Sequence, residues 1–248
     1  MSLSRLLLLL CCLPSLVSAD QVRVAVAANF VATLETLADE FRAVSGHTLV
    51  IASGSTGKHY AQIRNGAAFD VFLAADTERP QRLEREGFGV AGSGFVYAEG
   101  RLALWLPGVD AIDDARRALG DPAITRIAIA NPRLAPYGAA ARSVLEAWGL
   151  WDSVQARLLR GENIAQAYQY VASGNAAAGL VALAQLRSAR PPPRGAHVTL
   201  PPTLYPPIRQ GALQLHDSAA GAEFLAFLRT ERARRLIREA GYGAAEDR

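Results

Sequence analysis

The stretch VRVAVAANFVATLETLADEFRAVSG, residues 22–46, decides the fold. Apart from Arg23, residues 22–28 are a run of small and β-branched residues, the pattern of a strand buried on both faces. After it the period changes. Phe30, Leu34, Leu37 and Phe41 recur at spacings of four, three and four, which is one face of a helix. Asn29 stands where an N-cap belongs and Gly46 where the helix closes. Working outward, residues 48–52 read as a second strand, 58–64 as a second helix, 68–74 as a third strand and 78–86 as a third helix. This alternation means βαβ units and a largely parallel sheet.

A second series follows. Residues 95–106 are strand-like and end at Pro107-Gly108; segments 124–130, 139–148, 164–173 and 178–183 then repeat the strand and helix alternation. Seven prolines between Pro191 and Pro207 forbid a helix and suggest an extended crossing segment. A strand-like piece at 211–215 and an amphipathic helix at 222–240 complete the chain. The pattern predicts an α/β protein of two lobes with a ligand cleft between them. The chain leaves the first lobe near residue 98 and returns after about residue 202. Residues 20–98 with 203–248 then form lobe I, and residues 99–202 form lobe II.

Of the 248 residues, half are hydrophobic and a fifth charged, which excludes disordered and fibrous classes. The 26 basic and 23 acidic residues leave a net charge of +3, and the basic groups are scattered arginines apart from the single Lys58. No run of basic residues accumulates, so a nucleic-acid partner is not expected. At the start, Arg5, an apolar stretch at 6–13, Pro14 and the small-residue end Val17-Ser18-Ala19 read as a secretory signal over residues 1–19, cleaved before Asp20. The apolar stretch is far shorter than the ~20 residues that span a bilayer. Both cysteines, Cys11 and Cys12, lie inside it, so the mature chain is expected to be free of thiols, disulfides and thiolate–metal sites. Acylation at Cys11 is disfavoured by the bulky Leu10 before it. These features predict an exported, soluble protein.

Ligands of open α/β sheets sit beyond the carboxyl ends of the strands, which directs attention to the strand-to-helix turns. Ala27-Ala28-Asn29-Phe30 is the first. Ser53-Gly54-Ser55-Thr56-Gly57-Lys58 is the second, a hydroxyl- and glycine-rich helix start suited to cradling an anion. It is not a P-loop: Ala52 stands where that pattern needs Gly, and His59 where it needs Ser or Thr. Gly161-Glu162-Asn163-Ile164 leads into a helix in the second series and by itself is a cap. His47, His59, His197 and His216 are isolated and read as surface histidines. No GxSxG or HExxH pattern occurs, so no catalytic constellation is visible.

Six segments in order, AVAANF (25–30), ASGSTGKHYAQI (52–63), FDVFLAAD (69–76), ANPRLAPYGAAA (130–141), GENIAQAYQYV (161–171) and AAAGLVAL (176–183), together resemble the periplasmic molybdate-binding proteins of ABC importers. The resemblance covers nearly all of the expected mature chain. It implies a type II periplasmic-binding-protein fold, mostly parallel sheets flanked by helices, closing on molybdate or tungstate. It implies no catalysis and no cofactor, a monomer, and a membrane permease as partner. Carried over by position, the ligand contacts are Asn29, Ser55 and Thr56 in lobe I and Tyr137 and Ile164 in lobe II. Ile164 would act through its backbone N–H, and Tyr137 through its backbone or its phenol. Ala182 stands where some family members place a tyrosine. The rival readings are a receptor for sulfate or phosphate on the same scaffold and, from another class, a secreted hydrolase.

Overall fold

The computed structural model describes residues 20–244; the expected signal segment, 1–19, lies outside the described residues. The chain runs β1 (Gln21–Ala27), α1 (Val31–Ser45), β2 (Thr48–Gly54), α2 (Thr56–Arg64), β3 (Val71–Leu73), α3 (Glu78–Arg85) and β4 (Phe95–Gly100). It continues through β5 (Leu102–Leu106), α4 (Ala115–Gly120), β6 (Ile127–Ala130), α5 (Pro136–Ala147), α6 (Trp151–Val154), β7 (Leu158–Gly161), α7 (Ile164–Ala172), β8 (Ala178–Ala182), α8 (Leu183–Ser188) and β9 (Ala196–Thr199). Then follow β10 (Ile208–Gln214), α9 (Ala219–Leu228) and α10 (Glu231–Glu239). Two five-stranded sheets result, ordered β2-β1-β3-β10-β4 in lobe I and β7-β6-β8-β5-β9 in lobe II.

Each sheet is mixed. β1 pairs in parallel with β2 and β3, as β6 does with β7 and β8, whereas β10 and β5 are antiparallel to both of their neighbours. The expectation of mostly parallel sheets therefore holds for half of the pairings. The reason is the double crossing: a strand arriving from the other lobe starts at the cleft and runs away from it, while the βα strands run toward it.

The first crossing lies past residue 98, because Gly100 still pairs with Ile208 in lobe I and Leu102 already pairs with Ala182 in lobe II. At this first crossing Arg101 alone separates β4 from β5. The proline-rich stretch forms no α-helix, yet it is more than a connector. Its residues 196–199 make β9, which pairs only with β5 at the sheet edge, where a proline-flanked strand is tolerated.

Gly46 closes α1 as expected, with φ +79° and its N–H on the Arg42 carbonyl. The cap at the other end is Phe30, so Asn29 lies in the turn and does not cap α1. The single helix expected at 222–240 is two. The Thr230 hydroxyl donates to the Phe227 carbonyl at 2.7 Å and accepts the Ala233 N–H at 3.3 Å, ending α9 and starting α10.

The periodic residues of α1 do what their spacing requires. Leu34, Leu37 and Phe41 are fully buried and pack with Val22, Val24 and Phe224 on one face of the lobe I sheet. Phe72, Ile63 and Leu83 cover the other face. The lobe II core gathers Leu104, Ile127, Ile129, Leu180 and Val144, and it extends to Ala27, Ala28 and Ala75 of lobe I, so the two lobes share an apolar wall at the cleft. Among the described residues no helix is long and apolar enough to cross a membrane.

The start of α5 is pressed onto the end of β6. A Cβ at Gly138 would lie 2.4 Å from the Ala130 carbonyl oxygen and 2.7 Å from the Asn131 carbonyl carbon. Gly138→Ala is expected to destabilise the fold by about 1–3 kcal/mol through this overpacking. Urea unfolding measures it, and an unchanged midpoint would show that α5 shifts freely.

Candidate functional site

Parallel register brings the strand ends level. Ala27 lies beside Gly54 in lobe I, and Ala130 beside Gly161 in lobe II. One further bond extends each ladder, Ala28 N–H to Gly54 O at 2.9 Å and Asn131 N–H to Gly161 O at 2.7 Å. The turns before α1 and α2 therefore emerge together, and so do those before α5 and α7. They face each other across a small hollow, lined among others by Ala28, Asn29, Ser55, Thr56, Tyr137 and Ile164. All five residues named from the sequence line it, each at most 3% exposed. Asn163 joins them, and no charged side chain is in the lining.

The hollow is built for donors. Ser55 caps α2, its Oγ accepting the Lys58 N–H at 3.3 Å, and Thr56 Oγ1 accepts the Ala75 N–H at 3.0 Å. Both hydroxyls keep a proton to give. Asn163 caps α7 as its turn suggested, Oδ1 accepting the Gln166 N–H at 3.0 Å. Pro136 opens α5 and brings no N–H of its own. A helix offers no internal acceptor to its first-turn N–H groups, which leaves those of Thr56, Tyr137 and Ile164 at the hollow. Each of the three helix starts carries about half a positive elementary charge.

Two side chains are occupied elsewhere. The Asn29 amide nitrogen donates to Gln210 Oε1 at 3.0 Å and to the Tyr242 hydroxyl at 3.2 Å, committing both hydrogens. Asn29 is thus placed to face the hollow with its backbone. The Tyr137 phenol oxygen accepts from Gln210 Nε2 at 3.3 Å and sits against Gly100, where a Cβ would lie 2.2 Å away. Burial pushes the phenols of Tyr137 and Tyr97 well above the usual tyrosine range, so both stay neutral. The group of Tyr137 that helix geometry directs at the hollow is its N–H. Ala182 is buried at the end of β8, its N–H donating to Gln185 Oε1 at 3.2 Å.

The lobes touch around the hollow. Gly57 N–H donates to Leu134 O at 2.9 Å, and the Lys58 ammonium meets Glu162 Oε1 at 2.8 Å. The lone lysine thus bridges the rim and is neutralised there. A larger groove alongside, of about 690 Å³, carries the Asp76–Arg79 ion pair together with Glu78 and Arg209.

Sequence reading missed Gln210 and Tyr242. Gln210 binds partners 181, 113 and 73 positions away, so no local pattern announces it. Two histidines read as surface residues are buried, His47 at 7% and His59 at 3% exposure. His47 lies between the Asp20 N–H and Glu223. His59 lies between Val26 O at 3.2 Å and Gln62 Oε1 at 3.0 Å, edge-on to Phe69 and Phe72. Among the described residues no group of three or more His, Cys, Asp or Glu could hold a metal ion.

Burial holds the His59 pKa below its ordinary value of 6.5. The unfolded chain therefore binds the proton first, and stability contributed by neutral His59 is lost as pH falls through 6.5 toward the folded value. Denaturant unfolding between pH 7 and pH 5 is expected to show this fall, and His59→Gln to flatten it.

The sequence profile of the family described as bacterial extracellular solute-binding protein matches residues 22–243. The molybdate-binding protein ModA of Azotobacter vinelandii is 44% identical over 228 residues, covering 91% of this chain and 90% of that protein. ModA of Rhodobacter capsulatus is 40% identical over 228 residues, covering 91% and 89%. The solved periplasmic molybdate-binding protein of Azotobacter vinelandii superposes with a TM-score of 0.86 at 40% identity, over 91% of this chain and all of that one. The sulfate-binding protein SubI of Mycobacterium tuberculosis, with a TM-score of 0.72 at 15% identity over 93% of this chain and 88% of its own, shares the fold. With a profile match that spans both lobes and the hollow between them, the chain belongs to the bacterial extracellular solute-binding protein family.

Proposed function

We propose that the protein captures molybdate, and with it tungstate, in the periplasm and delivers the oxyanion as cargo to an ABC import permease, acting as a monomer without a resident cofactor. The observation that carries this reading is the meeting of three helix N-termini, from both lobes, on one small uncharged hollow. A buried dianion must recover its lost hydration through hydrogen bonds. The Ser55 and Thr56 hydroxyls and the N–H groups of Asn29, Thr56, Tyr137 and Ile164 supply donors without a cationic side chain. The identity to proteins named for molybdate binding supports the choice of anion.

A lining without carboxylates also discriminates. Phosphate near neutral pH carries a proton that would find no charged acceptor, and sulfate, being smaller, would leave some donors out of reach. The hydrolase reading lacks a base, because the lining of the hollow contains no His, Asp or Glu to activate Ser55. In this reading lobe I comprises residues 20–100 with 208–244, lobe II residues 102–199, and the connections at 101 and 200–207 form the hinge.

Thermal unfolding with molybdate, tungstate, sulfate, phosphate and chromate tests the assignment. A ligand at ~1,000 times its dissociation constant stabilises by about 4 kcal/mol. Large shifts with molybdate and tungstate alone are expected, and a shift with sulfate or phosphate alone would overturn the choice of anion. Ile164→Pro tests the backbone donor. Proline suits the first helical position and Asn163 is already extended, at φ −140° and ψ 178°, so α7 keeps its start while losing one N–H. Molybdate affinity is expected to fall by about 1–3 kcal/mol, measured by calorimetry.

A further inference from the structure

Gln210 lines no part of the hollow, yet its side-chain amide joins both halves of the site. It is completely buried in β10 of lobe I. The ladder between β10 and β4 shifts register between Gln210 and Gly211, where Tyr97 of β4 is passed over. Its carbonyl oxygen accepts from Asn29 Nδ2 at 3.0 Å and from the Tyr97 hydroxyl at 2.9 Å. Its Nε2 donates to the Tyr137 phenol of lobe II at 3.3 Å.

The direction of these bonds is forced. Tyr242 gives its one proton to the Asn29 carbonyl at 2.7 Å, so its oxygen must accept from Asn29 Nδ2 at 3.2 Å. That fixes the Asn29 amide, which in turn requires an acceptor from Gln210 and turns Gln210 Nε2 toward Tyr137. Gly100 completes the socket. A Cβ there would lie 2.2 Å from the phenol oxygen and 2.8 Å from Gln210 Nε2, so only a bare backbone admits the ring.

We infer that Gln210 is a positioning residue for the oxyanion site, bridging the Asn29 turn of lobe I to the Tyr137 phenol at the start of α5 and so setting the spacing at which the two lobes meet. This rests on the proposed binding of molybdate, and it adds a residue that contacts no ligand. Tyr137 has two separable tasks in this arrangement. Its N–H faces the anion, and its phenol seats α5 in the other lobe.

The test is a double-mutant cycle on the whole protein, using Tyr137→Phe, Gln210→Met and the pair. Calorimetry supplies the molybdate affinity, stopped flow the release rate, and thermal unfolding the ligand-free midpoint. Tyr137→Phe is expected to bind molybdate about tenfold more weakly, mostly through faster release, the size of one lost hydrogen bond, and Gln210→Met, which also removes the acceptor of Asn29 Nδ2 and of the Tyr97 hydroxyl, to bind more weakly still. The pair is expected to bind within about threefold of the weaker single variant, because both changes break the same link. Tyr137→Phe keeps the ring and its volume but leaves the buried Gln210 amide one partner short, so its ligand-free midpoint is expected to fall, by less than its effect on affinity. Losses that multiply to about a hundredfold, or unaltered affinity in Tyr137→Phe, would overturn the inference. An affinity loss accompanied by an equally large drop in the ligand-free midpoint of Tyr137→Phe would reduce the link to general packing and overturn it too. If the unaltered protein binds no molybdate, the proposed function fails and this inference with it; if it binds and the cycle shows no coupling, the inference alone fails.

Discussion

Two parallel ladders, one in each lobe, end level: Ala27 beside Gly54 and Ala130 beside Gly161. The rest of the site depends on this register. A one-residue slip would turn every side chain of β1 to the opposite face, stripping Val22, Val24 and Val26 from the core they share with α1. Because the apolar pattern forbids that slip, the carboxyl ends of the strands stay aligned and the helices after them start at one edge. Three N-termini then point into one hollow, and their backbone dipoles supply the positive potential that cationic side chains would otherwise provide.

An uncharged cradle has a consequence for its surroundings. Any ionised acid behind it would repel the anion through a medium of low dielectric. The polar groups nearest the turn are phenols and amides, and burial drives the phenol of Tyr242, like those of Tyr97 and Tyr137, upward from the ordinary tyrosine value. They remain neutral and satisfy one another. At the rim, Lys58 pairs with Glu162 across the lobes. Both side chains are about half exposed, so the pair contributes little to stability and marks where the lobes meet.

Much of the fold was legible in local periodicity. The alternation across residues 22–46 and the cap positions of Gly46 and Asn163 follow from short-range sterics and hydrogen bonding. Misreadings arose where a distant partner outbid a local preference. Asn29 has the chemistry of a cap, yet Gln210 and Tyr242 take its amide. His59 looked solitary because Val26 and Phe72, which bury it, lie on strands elsewhere in the chain. Thr230 interrupts an otherwise continuous amphipathic pattern with one hydroxyl.

By itself the sequence determined the α/β class, the two-lobed plan and, through resemblance, the five residues that line the hollow. These depend on patterns a few residues long or on ordered motifs along the chain. Tertiary structure decided which atom each of those residues presents. The Asn29 amide and the Tyr137 phenol were both plausible ligands in one dimension, and packing turned them toward Gln210 and away from that role. The physical reason is that a buried donor or acceptor must be paired, and its partner is chosen by proximity in space, which separations of 73 to 181 residues conceal.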